Sequence, residues 1–245
     1  MPPPQIHLSS EDAATARALV IHEDANILVF NKPSGLAVQG GSGVTRSLED
    51  LLVAFAKSNG KRPRLVHRLD RETSGVIVAA RTKPAAAQLS EAFAGCDVEK
   101  TYLAIVCGGA PEPRDGEIDL ALRKSSRRGL DIMEIDPTGQ SALTRYRTLS
   151  STPHAALLEL RPETGRMHQL RAHLAAIGRP IAGDGKYGGL FQLGATSIPR
   201  LMLHAAALEI PHPAGGRRRF EAQPPPDMAE PLRSLGLEPP SGPQS

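Results

Sequence analysis

The sequence predicts an α+β fold: a mixed, largely antiparallel sheet with flanking helices. Apolar stretches with strand character outnumber helical ones. Several of those strands are neighbours joined by short turns, and no fixed-period repeat runs through the chain.

The elements follow in order. "NILVFNKPSGLAV" predicts a strand, a turn at Lys32-Pro33-Ser34-Gly35 and a second strand. "SLEDLLVAFAKSNG" predicts a helix capped by Ser47 with Asp50 three residues on. Leu48, Leu51, Leu52 and Phe55 share its apolar face, and Asn59-Gly60 ends it. The run from Val76 to Ala80 reads as a buried strand. "KPAAAQLSEAFAG" reads as a helix that starts near Pro84 and stops at Gly95. "KTYLAIVCG" is a strand. The region 111–139 is charged and glycine-punctuated, more insert than core. "SALTRYRTLS" and "HAALLELRP" form a hairpin around Ser151-Thr152-Pro153. "MHQLRAHLAAIG" is a helix with Leu170, Leu174 and Ile177 on its buried stripe and Gly178 as its stop. "LMLHAAALEIPHP" is a late strand.

Both ends are proline-rich, and such segments bury too little apolar surface to offset their ordering entropy. The expected organisation is therefore a flexible segment over 1–18, one catalytic domain over 19–221 and a Pro-rich flexible tail over 222–245. Hydrophobic residues make up 40% of the chain, enough for a core, and charged residues 22%. The net charge of +3 and pI of about 9.0 suit a polyanionic partner without establishing one. Cys96 and Cys107 make neither a disulfide framework nor a zinc motif. "MPPPQIHLSS" lacks the features of a signal peptide, and no apolar stretch is long enough to span a bilayer. The expectation is a soluble, cytoplasmic, monomeric protein with reduced thiols.

One carboxylate is conspicuous. Asp70 sits between Arg68 and Arg71 at the mouth of the apolar strand, followed by Thr73 and Ser74. A turn-forming Asp is the plain reading. Flanking guanidiniums, however, favour the ionised form, and a charged carboxylate in a confined place suits a nucleophile or an electrostatic stabiliser. In "RPETGRMHQLRAH", Thr164-Gly165-Arg166 leads into a helix N-terminus, a natural place for an anion such as phosphate. His168 and His173 lack a metal-ligand spacing, so no metal is expected. Tyr102 lies within an apolar strand, where a tyrosine is usually core, yet its ring could stack on a base. The clusters "RKSSRR" and "GGRRR", with Lys61, Arg62 and Arg64, could track a phosphate backbone. "VHRLD" lacks the downstream Asn of a kinase loop, and "GGSGVTRS" lacks the P-loop lysine, which excludes nucleotide-dependent phosphoryl transfer.

Taken together these stretches resemble the RluA-type pseudouridine synthases. "HRLDRETSGVIVAART" is similar to the family's catalytic motif, with Asp70 at the position of its acid. "EKTYLAIVCG" is similar to the motif that carries the active-site tyrosine, here Tyr102. "RPETGRMHQLRAHLAAIGRPIAGDGKYGG" resembles the motif whose basic residue, here Arg171, partners the acid. "NKPSGLAV" and "LHAAALEIPHP" resemble its first and last strand motifs, and all five occur in the family's order between Ile21 and Pro213. Met167 stands where many members have Thr or Lys. The resemblance implies a pseudouridine synthase-like fold with a central RNA-binding cleft. It implies isomerisation of uridine to pseudouridine in structured ribosomal or transfer RNA, with no cofactor. It assigns catalysis to Asp70, Tyr102 and Arg171, and substrate binding to Arg68, Arg71, Thr73, Arg166, His168 and Leu203.

Overall fold

The computed structural model describes residues 8–41, 43–127 and 129–238. The chain separates into two compact units. One holds the described residues up to Val98 with Ala207–Gln223, and the other Glu99–Ala206 with the described residues from Pro224 on. The span 19–221 expected as one catalytic domain thus runs through two interleaved units. Composition does not change where the chain leaves one unit for the other, so only the long-range pairing reveals the division.

The first unit opens with α1 (Ser10–Ala18), β1 (Val20–Glu23), β2 (Ile27–Lys32) and α2 (Leu48–Leu51), which runs on as a 3-10 turn over Leu52–Phe55. β3 (Arg64–Leu65), β4 (Ser74–Ala80) and α3 (Lys83–Ala94) follow. In the second unit come β5 (Glu99–Cys107), β6 (Asp115–Asp119), β7 (Leu122–Arg127), β8 (Leu130–Ile135), β9 (Leu143–Ser151) and β10 (Ala155–Pro162). Then come α4 (Gln169–Ala176) and the short strands β11 (Gln192–Leu193) and β12 (Thr196–Ser197). The chain passes back to the first unit within β13 (Leu203–Pro211), adds β14 (Arg217–Glu221) there, and ends in the second unit with α5 (Pro226–Ser234).

In the first unit, β4 pairs antiparallel with β2 from Ile27↔Ala80 to Lys32↔Gly75, and with β3 at Arg64↔Ala80 and Leu65↔Ala79. Every residue of β4 is buried, which is why its sequence shows no alternation. Thr82 caps α3 by accepting from the Ala85 amide. Ala85, Leu89 and Ala92 then lie on one face and pack with Ile27, Val76 and Val78. The β1–β2 turn is closed by Asp24, which accepts from the Asn26 and Ile27 amides and from the His22 and His212 rings. Burial works against its ionisation, yet these bonds hold its carboxyl well below the usual carboxylate range.

In the second unit, β10 is flanked antiparallel by β5 and β9, and β6 adds to β9. β7 and β8 form a separate hairpin. The core gathers Ile105, Leu157, Leu160, Leu174, Met202 and Leu203. α4 buries Leu170 and Leu174 and stops at Gly178, whose φ is 71°.

Several expectations are corrected. Ser10–Ala18 is a helix with a Ser9–Asp12 capping box, and α5 places Met228 and Leu232 in the second unit's core, joined by Leu237. Within the two end segments, residues 10–18 and 226–234 are thus helical. Residues 1–7 and 239–245 of those two segments lie outside the described residues. The second strand after the Lys32–Gly35 turn is only an isolated bridge, Ala37↔Ser47. The helix from Ser47 keeps its capping box but ends at Phe55, because Ala56 turns extended. The region 111–139 contributes three strands and buries Ile118, Leu122 and Met133, so it is part of the packed structure. "RRRFE", which shows no strand signal, forms strand β14.

Candidate active site

The acid loop belongs to the first unit and is tied down along its length. Val66 packs against the core and Leu69 is buried. His67 stacks on Phe93 of α3, ring centroids 4.1 Å apart and planes at 12°. Its Nε2 accepts the Val78 amide of β4 at 3.0 Å. That ring nitrogen therefore carries no proton. β3 pairs with β4 only as far as Ala79, and the His67 ring takes the next inward amide.

Asp70 itself is half-buried, and its carbonyl accepts from the Thr73 amide in the turn leading into β4. Lys32, fully buried, donates from Nζ to the carbonyls of Pro33, Leu36 and Arg71 at 3.1, 2.8 and 3.1 Å. Gly35 and Arg71 bond reciprocally: the Gly35 amide donates to the Arg71 carbonyl, and Arg71 Nε to the Gly35 carbonyl. The turn of "NKPSG" is thus a brace for the residue after Asp70. Gly35 serves it because its φ is 85°. Arg68 and Arg71 are exposed and Thr73 is buried.

The second unit holds Tyr102, Arg166, His168, Arg171 and Leu203. Tyr102 is half-buried on β5, opposite Leu160 of β10. Leu203 is a core residue. Arg166 lies before α4 and is exposed, with Nε donating to the Ser141 carbonyl. The expectation that the amides of 164–166 lie open to an anion is corrected for Arg166, whose amide donates to Gln169 Oε1 at 3.0 Å. Gln169, buried, also accepts from the Thr164 hydroxyl and donates to the Leu143 carbonyl and Thr144.

Arg171, on the first turn of α4, is buried with a carboxylate that the sequence reading did not single out. Its Nε and Nη2 donate to the two oxygens of Asp184, both at 2.7 Å. Asp184 Oδ1 also accepts the Lys186 and Tyr187 amides, so the same carboxylate shapes the turn of "GDGKYGG". The glycines there are steric necessities: a Cβ on Gly183 would lie 1.8 Å from the Arg200 carbonyl oxygen, and one on Gly189 1.9 Å from that of Ile181. The Arg171 guanidinium stands 5.3 Å above the Tyr187 ring. His168 caps α4 with φ 50° and places Nδ1 3.0 Å from the Tyr187 hydroxyl. His173 is a core histidine between Thr144 and the Leu120 carbonyl, and burial pulls its pKa below the ordinary value.

The basic clusters are largely paired. Arg123 meets Asp136 and Lys124 meets Asp131 within the β7–β8 hairpin. Arg217 meets Asp97 and Glu209, and Arg219 meets Glu221. Arg128 lies outside the described residues. Among the described residues, no group of three or more His, Cys, Asp or Glu could hold a metal ion, and no helix is long and apolar enough to cross a membrane.

The arginine-flanked acid thus stands on a braced loop of the first unit, and the buried arginine on a helix of the second. The chain belongs to the RNA pseudouridylate synthase family, whose sequence model matches residues 26–176. It is 43% identical over 205 residues to RNA pseudouridine synthase 4, mitochondrial, of Arabidopsis thaliana, covering 74% of this chain and 43% of that one. It is 44% identical over 171 residues to ribosomal large subunit pseudouridine synthase C of Rickettsia bellii, covering 69% and 56%. The chain thus spans about half the length of these curated relatives. The solved structure of human RNA pseudouridylate synthase domain containing 4 superposes with a TM-score of 0.79 at 31% identity, over 96% of this chain and all of that one.

Proposed function

We propose that this protein is an RNA pseudouridine synthase that converts uridine to pseudouridine in ribosomal RNA, with transfer RNA as a further candidate substrate, and that Asp70 is its catalytic carboxylate. The observation that carries the reading is the construction of the acid loop. Asp70 is exposed enough to meet a substrate, while Lys32, His67 and Thr73 fix the backbone on both sides of it. The family match and a relative named for the ribosomal large subunit support the substrate.

The reaction is an isomerisation and needs no net reactant. The N1–C1′ bond breaks, uracil turns, C5 bonds to C1′, the C5 proton leaves and N1 gains one. Positive charge grows on the sugar as the first bond breaks, and an ionised Asp70 stabilises it or traps it covalently. Arg171 is the cationic partner of the acid, and Tyr102 stacks on the displaced base. Arg68, Arg71, Thr73, Arg166, His168 and Leu203 hold the flipped nucleotide and its neighbours, which leave their stack at a cost of a few kcal/mol.

The test is tritium release from ribosomal RNA transcripts labelled at uridine C5. The protein should release tritium and form pseudouridine at matched yield. Asp70→Asn should abolish both while RNA still binds. Turnover of Asp70→Asn within tenfold of the parent would overturn the assignment.

A further inference from the structure

We propose that Tyr187 is a positioning residue for Arg171 and His168, and that through it the seating of the β7–β8 hairpin reaches the helix that carries them. The proposal rests on the catalytic reading of Arg171 given above.

Three contacts meet at this side chain and a fourth at its backbone amide. The Met133 amide of β8 donates to the Tyr187 hydroxyl at 2.7 Å. The hydroxyl has its own hydrogen to give, and His168 Nδ1 lies 3.0 Å away. The Arg171 guanidinium rests on the ring face, 5.3 Å from its centroid. Asp184, which grips Arg171 with both oxygens, accepts the Tyr187 amide. The circuit is closed: Asp184 fixes the ends of Arg171 and the backbone of Tyr187, and the Tyr187 ring limits the tilt of the guanidinium plane. Leu122 and Met133 of the hairpin pack with Ala172 of α4, and Tyr187 lies against that cluster. A hairpin shift that pulls on the Met133 amide therefore moves the Tyr187 hydroxyl, and with it both the ring under Arg171 and the partner of His168.

A charged fork held by a carboxylate at its edge and a ring at its face has little freedom, and small displacements of such groups cost rate steeply, up to about a hundredfold for 1 Å. Tyr187→Phe keeps the ring and removes the hydroxyl, so it releases the hairpin and His168 but not the guanidinium face. Tyr187→Leu removes both.

The experiment measures single-turnover rates and RNA affinity for Tyr187→Phe, Tyr187→Leu, Arg171→Ala and the Arg171→Ala/Tyr187→Leu double variant, on a ribosomal RNA transcript the parent protein modifies. The expected rates fall about tenfold for Tyr187→Phe and about a hundredfold for Tyr187→Leu, with affinity unchanged. The double variant should be no more than about tenfold slower than Arg171→Ala, far short of the product of the two single losses, because the guanidinium part of the Tyr187→Leu loss is already gone and only the His168 part remains. A Tyr187→Leu rate within threefold of the parent overturns the proposal. So does a double variant slowed by the product of the two single losses, which marks a merely structural role. Should Tyr187→Leu not fold, Tyr187→Phe alone keeps the proposal testable: a rate within threefold of the parent overturns it. A fully active Arg171→Ala would instead overturn the underlying reading, and this proposal with it.

Discussion

Arg171 and Asp184 form a buried two-pronged ion pair in which two guanidinium nitrogens each lie 2.7 Å from a different carboxylate oxygen, and Asp184 is fully enclosed. The Arg171 guanidinium balances the enclosed Asp184 charge and in turn takes both of its oxygens. Breaking such a pair from one side leaves a buried charge uncompensated, at a cost of about 3–5 kcal/mol.

Asp184→Asn should therefore destabilise the protein by about 3 kcal/mol or more, read from urea denaturation. Arg171→Lys should not restore it, because a lysine offers one point charge where the carboxylate meets a planar fork. A Lys variant as stable as the parent would show that charge alone matters there.

His67 replaces a strand where β3 runs out. His67→Phe keeps the stack on Phe93 but strands the Val78 amide, so stability should fall by about 1–3 kcal/mol. His67→Gln, which brings an acceptor, should recover part of that. Equal losses for the two variants would mean that the ring stack, not the amide bond, is what holds the loop.

His173 makes stability depend on pH. Burial disfavours its charged form, so its folded pKa lies below the ordinary 6.5. The unfolded chain takes up the proton first. The contribution is complete above pH 6.5 and is lost as pH falls below it. Urea midpoints at pH 7.5, 6.5 and 5.5, as about one-unit steps around the titration, should fall for the parent and flatten for His173→Gln. Parallel curves would assign the acid sensitivity to other groups.

RNA binding should depend on exposed cations rather than on paired ones. Lys61, Arg62 and Arg64 are exposed, whereas Arg217 already meets two carboxylates. Neutralising each exposed cation that contacts a phosphate should lower the log–log salt slope by about 0.7–0.9. Arg217→Gln should leave the slope almost unchanged. The opposite ranking would move the RNA to the β14 face.

Tyr102→Phe separates packing from chemistry. Stability should change by about 1 kcal/mol, the net value of one hydrogen bond. Single-turnover rate should fall by about two to four powers of ten if the hydroxyl moves a proton. A fully active variant would leave Tyr102 a stacking role.

The elements legible in the sequence are those in which one local signal dominates. β4 reads as an unbroken apolar run, α3 is bracketed by Pro84 and Gly95, and the β9–β10 hairpin turns at Ser151-Thr152-Pro153. The first and last helices were masked by proline. Ser9 and Asp12 carry a capping signal, and Met228 and Leu232 stand four apart, but both lie in stretches whose composition argues for disorder. β14 was hidden by charge, since only Phe220 of "RRRFE" turns inward. Asp70, Tyr102 and Arg171 could be picked out by motif. Asp184, Gln169 and Tyr187 could not, because a buried Asp or Gln looks like a turn residue until its partners, 13 to 54 positions away, are known.

The interleaving of the two units has a consequence for synthesis. The first unit's core waits for Leu208, Ile210 and Phe220, and the second's for Met228, Leu232 and Leu237. Neither is complete until the ribosome has made the residues beyond Ala207. The nascent chain must carry the apolar strands made before Ala207 without a completed core around them, which makes it a natural client for chaperones that shield such segments.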